Sequence, residues 1–104
     1  MVLSADRPDL AVYYGHNVAL RPAEFRLLRM LAENPGKCIR YDTLYNYMWD
    51  GDRLVEPGQI YSHRSRLCGK LAVALPDRDP KKVVVTVPRH GLMLNLRKEE
   101  VKVS

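Results

Sequence analysis

Acidic side chains are missing from two long stretches of this chain: none lies between Glu56 and Asp77, and none between Asp79 and Glu99. An ordinary exposed helix interleaves Glu with Lys and Arg, each pair contributing about 0.2–0.5 kcal/mol. The longest helical stretch here gives that support up. Long apolar runs are also missing, the longest falling far short of the roughly 18–20 residues that span a bilayer, so no membrane partner is expected. The opening Met1–Arg7 reaches Asp6 and Arg7 too early for the apolar core of a secretory leader, which points to a soluble cytoplasmic protein. Cysteine is scarce. Cys38 and Cys68 make no disulfide framework, and neither has a second ligand among His16, His63 and His90 at the spacing of about two to four residues that metal sites use. No metal or other cofactor is expected. No nucleophile–base pair and no cluster of carboxylates can be placed together, so an enzyme has no support. Internal repeats and low-complexity segments are absent.

What is present is a single-domain length of 104 residues, 46% of them hydrophobic, enough for one core. The net charge of +5 is unevenly spread. Residues 1–56 carry 7 Lys/Arg against 8 Asp/Glu, residues 57–98 carry 9 against 2, and residues 99–104 carry 1 against 2. The second half is therefore the part suited to a polyanion, with a solvated basic face as the bland alternative.

Residues 10–14 and 18–20 read as two short strands about a Gly15-His16-Asn17 turn. From Pro22 the period changes: Phe25, Leu28, Leu31 and Ala32 recur at helical spacing until Asn34-Pro35-Gly36 stops them. Cys38-Ile39-Arg40 reads as a short link to a second helix over about 41–49, with Leu44, Tyr47, Met48 and Trp49 available to the core. A third helix over about 57–75 opens at Pro57 and turns Ile60, Arg64, Leu67, Leu71 and Leu75 inward. After the Pro76–Pro80 loop, residues 83–87 and 92–96 form a hairpin about Pro88-Arg89-His90-Gly91. The segment 1–9 precedes a domain of residues 10–97, and the charged tail 98–104 is expected to fray. The fold class is α+β: short N-terminal strands, three helices and a C-terminal hairpin.

At about 100° per residue, the face of the third helix opposite its leucines carries Ser62, Arg66, Gly69 and Val73, with Ser65 and Lys70 beside it. A major-groove helix needs such a face. Arg66 can grip a guanine edge or a phosphate bidentately, while Ser62 and Ser65 are small enough for close approach and base contact. His63, Lys70 and Tyr61 sit toward the rim, where phosphate contacts position a helix without reading sequence. Arg64 falls on the inward stripe, where an unpaired guanidinium costs several kcal/mol, on the order of the 2–7 for polar groups or more. Its partner is either a phosphate or an acid such as Glu56. Arg89 and His90 at the hairpin turn suit a narrow minor groove, with Lys81 and Lys82 at its base for phosphates; an ordinary exposed turn is the alternative.

Leu20-Arg21-Pro22-Ala23-Glu24-Phe25-Arg26-Leu27-Leu28 resembles the opening of the first helix of OmpR/PhoB-type winged-helix effector domains, Leu-Thr-x-x-Glu-Phe-x-Leu-Leu. The Pro35-Gly36 link with Leu44 and Trp49, the run His63, Arg66, Leu67, Lys70, Leu71, and the wing-like Thr86-Val87-Pro88-Arg89-His90-Gly91 extend the resemblance over about residues 10–97. It implies a winged helix-turn-helix that binds double-stranded DNA in transcriptional regulation, with the third helix in the major groove and the wing at the minor groove. It further implies Arg66 on bases, His63 and Lys70 on phosphates, and Arg89 with His90 in the minor groove. Binding as a homodimer on paired half-sites, and an RNA polymerase contact through Asp50, Asp52 and Glu56, are also implied, which would put the protein at the nucleoid. Arg21 departs from the Thr cap, Arg64 from a core aliphatic, and Leu92-Met93 from an aromatic-basic pair. No receiver domain is present in the sequence, as in an orphan regulator or a piece of a longer one. The weakened wing motivates an alternative, a protein-interaction module docking on polymerase or another regulator through the acidic loop or a Leu92-Met93 edge.

Overall fold

In the computed structural model, which describes residues 1–48 and 57–104, the hairpin expected about Gly15 turns on Tyr14 and Gly15, both at positive φ (47° and 82°). This is the pattern of the tight turn whose twist suits antiparallel strands. The strands β2 (Arg7–Tyr13) and β3 (His16–Ala19) pair around it with Tyr13 opposite His16, so His16 and Asn17 belong to β3 rather than to the turn. A tyrosine is an unusual occupant of left-handed backbone. Here its ring lies under the Arg78 guanidinium, 4.0 Å from the centroid, and edge-on to Tyr13.

β1 (Val2–Ser4) pairs antiparallel with β2 and, on its other side, parallel with β7 (Lys102–Val103), giving the sheet order β3-β2-β1-β7. Two expectations are corrected by this. Residues 1–9 supply β1 and the start of β2, and the tail expected to fray is tied in. Val101 and Val103 are half-buried while Lys102 is exposed, and the Met1 amino group donates to the Glu100 carbonyl at 2.7 Å. The alternation of valine with a polar residue supplies one buried side, and the backbone ladder supplies the rest.

α1 (Pro22–Ala32) opens on its proline and buries Phe25, Leu28, Leu31 and Ala32, the face its period predicts. Cys38–Arg40, read as a link, is a strand, β4, which leads into α2 (Tyr41–Met48), whose Leu44 is fully buried. Trp49 lies outside the described residues. α3 (Pro57–Ala74) follows, then a 3-10 turn at Pro80–Lys82 and the hairpin β5 (Val84–Val87) and β6 (Gly91–Leu94). β4 and β5 flank β6 in a second, three-stranded sheet. Ile60, Leu67 and Leu71 of α3 meet Leu27, Leu28 and Leu31 of α1 in one core, all at 0% exposure. The result is the expected α+β architecture of three helices between an N-terminal sheet and a C-terminal hairpin.

Candidate nucleic-acid interface

With its leucines inward, α3 presents Tyr61, Ser62, Ser65, Arg66, Gly69 and Val73 to solvent, Val73 at 82% exposure. Each lies on the side the helical period assigned to it. An open cleft borders α3 on either flank. On one, a cleft of about 760 Å³ runs between α3 and the β3–α1 corner, lined by Arg66, Gly69, Lys70 and Val73 on the helix and by Asn17, Ala19, Arg21 and Glu24 opposite. On the other, a cleft of about 470 Å³ separates Tyr61, Ser65 and Gly69 from Asp79, Pro80 and Lys81. Lys81 and Lys82 are exposed on the 3-10 turn, which the Asp79 carboxylate caps by accepting from the Lys81 N–H at 3.0 Å.

Arg64 does not face outward. It is 7% exposed, and its Nε and Nη2 donate to the Val84 carbonyl at 3.3 and 2.8 Å. The expected phosphate contact is thus corrected: the partner is the backbone of β5, a neutral acceptor for two of the guanidinium's N–H groups in the interior. Arg64 anchors α3 to the base of the hairpin.

A second anchor sits on the opposite flank. Lys70 Nζ is bonded to Oε1 of Glu24, a side chain only 1% exposed, and the same oxygen accepts the Arg21 N–H at 2.8 Å. Oε2 of Glu24 has no partner. Glu24 also acts on His63, half-buried one turn before Arg66. Burial holds the His63 pKa below its ordinary 6.5, Arg66 lowers it further, and Glu24 opposes both. His63 is therefore neutral near pH 7. Sequence reasoning missed Glu24, and its one signal was a glutamate three residues after a helix N-cap, which reads only as capping.

At the hairpin tip Arg89 and His90 are exposed. The His90 N–H closes a turn onto Val87 O at 3.0 Å, with Pro88 in its second position and Arg89 at φ 66° in its third. That is the type II pattern, which favours glycine where Arg89 stands. Gly91 serves another purpose. A Cβ on it would lie 1.8 Å from the Ile39 carbonyl oxygen, so its bare backbone is what lets β4 and β6 close. The His90 carbonyl accepts the Tyr41 N–H at 3.2 Å, fastening the tip to the start of α2. Leu92 and Met93 form no edge: β6 is the central strand, and Leu92 is 1% exposed. A docking edge there is ruled out by the ladder on both sides. Asp50, Asp52 and Glu56 lie outside the described residues. Among those described, no group of three or more His, Cys, Asp or Glu is placed to hold a metal, and no helix is long and apolar enough to cross a membrane.

Helix, hairpin and sheets together define a winged helix-turn-helix, the architecture of DNA-binding domains rather than of enzymes. The chain belongs to the family described as "Transcriptional regulatory protein, C terminal", the OmpR/PhoB-type DNA-binding domain, matched over residues 15–94. It is 41% identical over 61 residues to the transcriptional regulatory protein BaeR of Escherichia coli O6:H1, covering 59% of this chain and 25% of that protein. Its fold is like that of the DNA-binding domain of E. coli CadC (TM-score 0.72, 22% identity, 86% of this chain and 80% of that one). It is also like the DNA-binding domain of the response regulator AdeR in complex with an intercistronic region (TM-score 0.69, 18% identity, 86% and 87%). The chain spans about a quarter of the length of the curated relatives it matches.

Proposed function

We propose that this chain binds double-stranded DNA sequence-specifically to regulate transcription, α3 entering the major groove and the β5–β6 wing reaching the adjacent minor groove. The observation that carries this is the exposed side of α3. It is acid-free, made of small residues around Arg66, and open on both flanks. A helix seated in a major groove has a sugar-phosphate strand along each side, and two clefts leave room for them. Arg66, Ser62 and Ser65 read base edges. Tyr61, His63, Lys81 and Lys82 are set beside the backbone, and Arg89 with His90 reaches the minor groove.

Such a protein works at the nucleoid, in the cytoplasm. We place a homodimer on paired half-sites and an RNA polymerase contact through Asp50, Asp52 and Glu56 in the same scheme. Selection of bound sequences from a random library tests the core of it and, through half-site spacing, the dimer. The expected result is an enriched motif, with affinity for random duplex falling steeply with salt, by about 0.9 in log K per phosphate contacted. No enrichment, with a flat salt response, would refute DNA binding and favour a protein-interaction module.

A further inference from the structure

We infer that Arg21, not Lys70, supplies the phosphate contact on the α1 side of α3, an assignment that rests on the DNA-binding function proposed above. Lys70 lies at the right place on the helix but is already engaged. Its ammonium is bonded to a carboxylate that is 1% exposed and whose second oxygen has no partner. If Lys70 swung out to a phosphate, Glu24 would keep only the Arg21 N–H. Leaving a buried charge uncompensated is the most unfavourable way to break such a pair.

Arg21 is in the opposite situation. It stands just before α1, its guanidinium is exposed, and it takes part in no salt bridge among the described residues. It lines the same cleft as Arg66 and Lys70. Its backbone is held at both ends, the N–H by Glu24 Oε1 at 2.8 Å and the carbonyl by the Phe25 N–H at 2.9 Å, while its side chain makes no cap hydrogen bond. A guanidinium on a fixed backbone, weakly hydrated and forked, is well suited to a phosphate. Glu24 is then a positioning residue. It neutralises the lysine that would otherwise reach the backbone and steadies the arginine that replaces it.

The test is the salt dependence of binding to a random-sequence duplex, measured on the whole chain and on Arg21→Gln, Lys70→Gln and Glu24→Gln. Relative to wild type, Arg21→Gln makes the fall of log K with log salt shallower by about 0.9 and leaves the selected motif unchanged, while Lys70→Gln leaves the slope as it was. Glu24→Gln, which keeps an acceptor for the Arg21 N–H, frees Lys70 for a phosphate and steepens the slope by about 0.9. A slope unmoved by Arg21→Gln, or made shallower by Lys70→Gln, overturns the assignment. Should Lys70→Gln not fold, Glu24→Gln decides, because an unchanged slope would mean Lys70 was on a phosphate from the start. A flat response from wild type refutes DNA binding itself, and the assignment falls with it.

Discussion

Substituting Gly91 by alanine should cost more than any surface change in the wing, and the amount follows from three backbone distances. The added Cβ would lie 1.8 Å from the Ile39 oxygen, 2.7 Å from its carbonyl carbon and 2.9 Å from Arg40 Cα. None of these is a flexible side-chain end, so no rotamer relieves the clash. To reach an ordinary C···O separation of about 3.3 Å, β4 and β6 must part by roughly 1.5 Å at that point. The ladder there pairs Ile39 with Leu92 and Arg40 with Gly91. Losing roughly two of its hydrogen bonds costs about 1–3 kcal/mol at the usual net worth of each. Strain from forcing the strands apart adds about 1–3 kcal/mol. At about 4–8 °C per kcal/mol for a domain of this size, even the lower total of about 2 kcal/mol lowers Tm by roughly 8–16 °C. Thermal unfolding followed by circular dichroism measures it. A Tm within about 3 °C of wild type, well inside the smallest expected shift, would show that β4 and β6 do not approach as closely as described and would refute the reasoning.

Three further outcomes are expected. Because burial holds His63 below its ordinary pKa, the unfolded chain binds its proton more readily, so His63 contributes stability present above about pH 6.5 and lost as pH falls toward its depressed folded value. A phosphate beside it would favour the charged form, so DNA binding should tighten by up to about tenfold between pH 7.5 and 5.5, and His63→Gln should flatten that dependence. Arg64→Met leaves the Val84 carbonyl without its donor and should destabilise by about 1–3 kcal/mol in urea while leaving the salt slope of DNA binding intact; a slope reduced by about 0.9 would mean Arg64 reaches a phosphate after all. Arg66→Ala should cost about 1–3 kcal/mol of specific affinity and relax the selected motif at one position. An unchanged motif would remove α3 from the major groove.

What the sequence made legible was whatever rests on periodicity. Phe25, Leu28 and Leu31 on one helix, and Ile60, Leu67 and Leu71 on another, announce their inward faces because 3.6 residues per turn leaves few alternatives. The exposed set about Arg66 follows by subtraction. Destinations that depend on distant backbone were not legible. Arg64 could be seen to need a partner, but the Val84 carbonyl is 20 residues away in sequence and carries no side-chain signal. Lys70 looked free because Glu24 is 46 residues off and reads locally as a helix-capping glutamate. β4 and β7, of three and two residues, are too short for alternation to register, and they exist through ladders whose other strand lies elsewhere in the chain. The left-handed Tyr14 sits where glycine is the default, so turn chemistry pointed to Gly15, His16 and Asn17 instead, whereas Arg89 was legible as a turn residue but not as the one at positive φ.

On the DNA-binding function proposed above, the Arg64–Val84 link and the Tyr41–His90 bond bear on the spacing of the target site. The first ties α3 to the base of the wing and the second ties the wing's tip to the start of α2, so that helix and wing act like a pair of calipers. A gauge of that kind forgives a wrong letter more readily than a wrong interval. Inserting one base pair between the stretch under the helix and the flanking groove displaces the second contact by about 3.4 Å along the duplex and turns it around the axis. Spacing changes in a cognate promoter should therefore weaken the complex more than most single-base exchanges.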